Sequence, residues 1–163
     1  MNRRIFIVLI LFVMFFITSC VSFQVTSKNF TEDDFSFSKK DTFYLEPVKV
    51  TSYDFLENEE IGYILDRKLS FAVSSNPVVN YNEKPEKSDY IIFPELIIKS
   101  YEVKYTERNY YYLSIKISAN SRPAANPVSQ FTYEYNGAAS IFDSNVQNSI
   151  IDKFIDDFTK SIN

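Results

Sequence analysis

Between residues 113 and 119 the chain alternates with a period of two. Leu113, Ile115, Ile117 and Ala119 take one side, and Ser114, Lys116 and Ser118 take the other. A strand with one buried and one wetted face has this pattern, and a one-residue slip would turn every side chain the wrong way. Similar segments flank it. Asp89–Tyr105 opens on the apolar run YIIF and passes Pro94. It continues with Tyr101, Val103 and Tyr105 on one side and Glu102 and Lys104 on the other. In Val128–Ile141, Phe131, Tyr133 and Tyr135 oppose Thr132 and Glu134. The connections, Thr106–Asn109 and Asn120–Asn126, are short and polar. Consecutive strands joined so briefly pair antiparallel.

Two helical patterns complete the fold class. Asp54 and Glu57 make a plausible start, followed by Ile61, Ile64, Leu65, Leu69 and Ala72 on one helical face, with a stop at Ser75-Asn76-Pro77. Ser144 and Gln147 fit a capping box. After them Val146, Ile150, Phe154, Phe158 and Ile162 step by four, and Ile151 and Ile155 widen the stripe. Thr42–Val50 reads as a first strand, in which Pro47 marks an edge or a bulge. Val78–Tyr81 reads as a short strand and Asn82–Ser88 as a polar loop. The expected architecture is α+β: a mainly antiparallel four- to five-stranded sheet with two helices packed on one face, in the order β-α-β-β-β-β-α.

The N-terminus obeys a different logic. Arg3 and Arg4 precede thirteen unbroken apolar residues, Ile5–Ile17, and then Thr18, Ser19 and Cys20, the one cysteine of the chain. A membrane-crossing helix needs roughly 20 apolar residues, whereas a charged start, a short apolar core and small residues make a secretory signal. Ile17-Thr18-Ser19-Cys20 resembles the lipobox of bacterial lipoproteins. That resemblance implies removal of residues 1–19, lipid on Cys20 and a bacterial membrane location. An ordinary cleaved signal with an incidental cysteine is the competing reading. The expected division is a signal peptide at 1–19, a lipidated cysteine and tether at 20–40 and a single domain at 41–163. The tether is partly ordered near Phe35 and Phe37. Removing Arg3 and Arg4 from 17 basic residues leaves 15 against 21 acidic ones, a net charge of −6. That balance argues against nucleic acid, which needs clustered cations. With its thiol lipidated the domain has no disulfide, and packing must stabilise it.

Catalytic parts are scarce. The chain has no histidine, so it has no Ser-His or Cys-His dyad and no imidazole ligand for zinc. Neither glycine, Gly62 or Gly137, belongs to a phosphate-binding loop. Adjacent carboxylates (Asp33-Asp34, Glu59-Glu60, Asp156-Asp157) diverge by about 100° on a helix and read as solvated surface. A Ser-Lys mechanism stays open, because such partners meet only in space. No enzyme, cofactor or metal is expected. Tyr110-Tyr111-Tyr112 offers a candidate partner surface. In a strand Tyr111 joins Leu113 on the core side, while Tyr110 and Tyr112 point outward, where a ring with a polar tip suits an interface. Strand propensity and an AT-rich codon bias account for the same three residues without any partner.

The order of elements resembles small envelope lipoproteins of the LPS-assembly E type. The segments that carry the resemblance are Thr42–Val50, Ile61–Ser75 and Ser88-Asp89-Tyr90-Ile91-Ile92. It implies a non-enzymatic role in the assembly or working of a larger envelope machine. The acidic mature chain departs from what a lipopolysaccharide-binding surface needs. The leading expectation is a lipid-anchored binding or scaffolding protein of the outer membrane or periplasm, with a protein partner. The alternative is a surface-displayed lipoprotein that binds host or environmental ligands. Val21, in place of an aspartate after the cysteine, leans toward the outer membrane.

Overall fold

The structure is a computed structural model that describes residues 25–33, 35–52, 58–103, 106–121 and 126–163. Along the chain run β1 (Val25–Thr31), β2 (Thr42–Leu45), β3 (Lys49–Ser52), α1 (Asn58–Ser74), β4 (Asn80–Tyr81), a 3-10 turn at Pro85–Lys87, β5 (Tyr90–Val103), β6 (Thr106–Ala119), β7 (Ser129–Gly137) and α2 (Ser144–Lys160). The expected meander is present: β5, β6 and β7 pair antiparallel in sequence order. The fold is α+β, and both helices pack on one face of the sheet.

The sheet is larger than expected. Among the described residues it has seven strands, ordered β1-β7-β6-β5-β2-β4, with β3 also paired to β5. Two features raise the count. First, Thr42–Val50 is two strands in succession, both parallel to β5. The register runs from Leu45↔Ile92 to Lys49↔Glu95, four residues on one side against three on the other. The extra residue is a bulge at Glu46-Pro47-Val48, where a proline costs least. Pro94 of β5 lies opposite this break, where the ladder is already interrupted.

Second, β1 and Phe37, expected within a tether at 20–40, belong to the folded body. β1 is an edge strand antiparallel to β7, from Val25↔Tyr135 to Thr31↔Ser129. Six of its seven residues are exposed, so no apolar alternation marks it; backbone hydrogen bonds to β7 hold it instead. Phe37 follows, 1% exposed, ringed by Phe35, Phe43, Tyr90 and Phe158 at centroid distances of 4.9–5.9 Å. The folded body therefore takes in β1 and Phe37, ahead of Asp41. Cys20 and the expected signal peptide lie outside the described residues.

The helical stripes bury as their spacing dictates. Ile61, Leu65, Leu69 and Val73 of α1 and Val146, Ile150, Phe154 and Phe158 of α2 sit in one core with Leu113, Ile115, Ile117, Phe131 and Tyr133 of the sheet. Each such side chain contributes about 1.5–3 kcal/mol on burial. At Gly62, α1 passes so close to β3 that an added Cβ would stand 3.2 Å from Val50 Cγ2. The cap of α2 differs from expectation. Asp143, not Ser144, is the N-cap, and its carboxylate accepts from Asn145 N at 2.8 Å. Gln147 is buried and donates to Ile141 O at 2.8 Å, so it is not available for a capping box. One polar contact joins three elements. Asp157 of α2 accepts from Tyr133 Oη of β7 at 3.1 Å and from Asn29 Nδ2 of β1 at 3.0 Å. Burial, reinforced by the Asp157 charge, pushes the Tyr133 phenol well above its ordinary value and keeps it a neutral donor.

Candidate functional site

β6 divides the tyrosine triplet as a strand must. Tyr111 is 2% exposed on the helix-covered face; it stacks on Tyr135 at 5.5 Å and donates to Ala139 O at 3.1 Å. Tyr110 and Tyr112 are half-buried on the opposite face, which no helix covers among the described residues. The ladder places them among cross-strand neighbours. Tyr110 stands between Lys99 and Asn136, and Tyr112 stands between Ile97 and Glu134. The structure thus brings Tyr110 and Tyr112 onto one surface.

The sequence missed the residues that extend this surface. Across the outer face, Ile97, Tyr112, Glu134 and Thr26 form one row, and Phe93, Lys116, Gln130 and Phe30 form another. Tyr44 stands beside Ile91 at the β2 side. Phe30 is 55% exposed. Lys49 and Glu95 form an ion pair at 3.2 Å across β3 and β5, and Ser114 accepts from Gln130 at 3.0 Å between the rows. The face is mixed: aromatic and aliphatic groups are interspersed with polar ones, among them the Lys49–Glu95 pair, Ser114 and Gln130. Interfaces of non-obligate partners have such a composition.

Elsewhere the arrangement offers little chemistry. A groove between the helices is floored by Ala72, Ile151 and Ile155 and rimmed by Phe71, Asp152 and Asp156. Its acids point along a helix flank, and Asp156 is paired with Lys160. A shallow depression between β3 and α1 is lined by Pro47, Val48, Val50, Tyr63 and Asp66, and Asp66 accepts from Val48 N at 3.3 Å. Among the described residues no group of three or more His, Cys, Asp or Glu could hold a metal ion. Nor is any helix among them long and apolar enough to cross a membrane.

With this geometry in view, the class is a small α+β body with an open, aromatic sheet face. Known proteins share that fold at low sequence identity. A PelC chain, from a dodecamer of Paraburkholderia phytofirmans, superimposes with a TM-score of 0.58 at 11% identity, covering 86% of this chain and 99% of that one. The hypothetical protein CT253 of Chlamydia trachomatis gives 0.50 at 9% identity over 74% of this chain and 94% of that one. Lipoprotein GNA1162 of Neisseria meningitidis aligns more loosely, with a TM-score of 0.42 at 8% identity over 74% of this chain and 99% of its own. No protein-family model matches the chain, and no curated protein matches it in sequence.

Proposed function

We propose that this protein is a lipid-anchored, non-catalytic component of the bacterial cell envelope that docks a protein partner on the outer face of its sheet. The observation that carries the reading is the pair of outer-face rows holding Ile97 and Tyr112 in one and Phe93 and Phe30 in the other, on the side of the sheet that no helix covers among the described residues. Three facts support it. The segment Ile17–Cys20 has the order of a lipobox. The chain lacks histidine throughout, which removes the commonest general base. The PelC chain that shares the fold comes from a dodecamer, an example of this architecture in a multi-subunit assembly. An outer-membrane location follows from the lipobox and from Val21 after the cysteine.

Site-specific photo-crosslinking in the native cell tests the docking face. A photo-reactive amino acid at Tyr112 is expected to yield an adduct with an envelope protein or a second copy, and one at exposed Asn148 on the helical face is not. Absence of any adduct at position 112 would remove the docking proposal. Mass measurement of the mature N-terminus tests the anchor; a first residue other than acylated Cys20 would remove that part.

A further inference from the structure

The corrected start of the folded body changes the geometry of anchoring. With β1 beginning at Val25, five residue steps separate it from Cys20. Fully extended, they reach at most about 18 Å. The domain is therefore on a short leash.

Topology fixes the end of the sheet at which Val25 lies. β1 runs antiparallel to β7, and Val25 is level with Tyr135, Tyr111 and Ile98 across the sheet. Among the described residues only one element continues far past this level. The described pairing of β3 reaches Ser52↔Ile98 and that of β7 reaches Asn109↔Gly137. The β5–β6 ladder goes on through Tyr101↔Arg108 and Glu102↔Glu107 to Val103↔Thr106. Among the described residues the result is a two-stranded arm extending beyond the sheet at the end where Val25 begins β1. From Ile98 to Val103 it rises about 17 Å, which equals the reach of the leash. A domain standing on that end has its arm at the depth of its own anchor.

The arm also differs in composition from the rest of the chain. Residues 99–103 and 106–110 carry two cations, Lys99 and Arg108, against two carboxylates, Glu102 and Glu107, with Tyr101 and Tyr110. They form a charge-balanced stretch of an acidic protein, and tyrosine favours the boundary between headgroups and acyl chains. We propose that the β5–β6 arm, through its residues 99–103 and 106–110, rests on the headgroup layer of the bilayer that holds Cys20. The domain then stands on end, with its outer sheet face roughly perpendicular to the membrane. This proposal rests on the lipid-anchor reading.

The chain contains no tryptophan, so single tryptophans report position without background. Full-length protein processed by a lipoprotein-modifying host is placed in phosphatidylethanolamine–phosphatidylglycerol vesicles whose acyl chains carry bromine. Y101W, far along the arm, is expected to show blue-shifted emission and strong quenching. Y110W, at the arm's root, is expected to be quenched less. E86W, on the exposed 3-10 turn at the opposite end, should match the unquenched protein in water. E107W serves in place of Y101W if that variant loses cooperative unfolding. Protein that floats with the vesicles but shows Y101W quenched no more than E86W overturns the arm contact and leaves the anchor intact. Protein that does not float overturns both.

Discussion

Tyr111 and Tyr112 are neighbours in β6 with opposite surroundings. The first is stacked, hydrogen-bonded and closed to water; the second stands half-open between Ile97 and Glu134. The two faces of the sheet differ in the same way. The inner face holds rings against rings, with Phe154 and Phe158 of α2 packed on Phe131 at 5.7 and 6.1 Å. The outer face spaces its rings with charges and hydroxyls. Inner aromatics pack the core, whereas the outer ones stand apart on the side that no helix covers among the described residues.

The sharpest way to break this contrast is to truncate one ring on each face. Phe158→Ala opens a cavity among Phe37, Phe43 and Phe154, and a loss of about 3–5 kcal/mol is expected from urea unfolding. A similar loss for Tyr112→Ala would erase the distinction. Next comes Gly137→Ala. A Cβ there would lie 2.3 Å from Tyr135 Oη, because that ring folds back along the strand over the glycine. The ring must move, giving up its stack on Tyr111 and the bond it accepts from Ala139 N. A destabilisation of about 1–3 kcal/mol is expected, with loss of near-ultraviolet dichroism from the tyrosine pair. Tyr112→Ala itself should cost under about 1 kcal/mol, the scale of one cross-strand pair. It should nevertheless abolish the adduct of a photo-reactive group placed at Ile97, its cross-strand neighbour.

The smallest effect concerns neither face. At the sheet's far end Asp89 accepts from Thr42 Oγ1 at 2.7 Å and Thr42 N at 2.9 Å, clasping β2 to the start of β5. Those bonds favour the charged form and hold the carboxyl below its ordinary value of 3.8. A lowered folded-state pKa stabilises above the ordinary value and is lost as pH falls through the folded one. The stability difference between the native protein and Asp89→Asn should be constant near neutrality and shrink below pH 3.8. A difference that grows on acidification would contradict the clasp.

The inner face was legible in the sequence because burial leaves periodicity. Ile61, Leu65, Leu69, Phe154, Phe158, Leu113 and Ile117 were all read as core from spacing alone, and all are buried. Tyr110 and Tyr112 were read as outward for the same reason. Three things were hidden, each with a physical cause. β1 is solvated on nearly every side chain, so its place in the sheet depends on backbone bonds that composition does not encode. The outer row Ile91, Phe93 and Ile97 could not be separated from the inner row Ile92 and Leu96, because β5 lies inside the sheet and both its rows are apolar. The Asp143 cap escaped because Ser144 and Gln147 imitate the capping pattern one residue later. The candidate surface was legible only at its tyrosines, where the outward residues are themselves conspicuous.

The stitch at Phe37 bears on the order of folding. Phe37 N donates to Ser161 O, Asn163 N donates to Phe37 O, and Lys39 N donates to Asn163 O. Phe37 is thus seated by residues 161–163, which are synthesised more than a hundred positions later. A nascent chain that has released everything up to α2 still lacks this closure and leaves a phenylalanine cluster open. Contacts so distant in sequence slow folding. A holding chaperone would then find its substrate in the interval, with Phe35, Phe37 and Phe43 as the exposed grip.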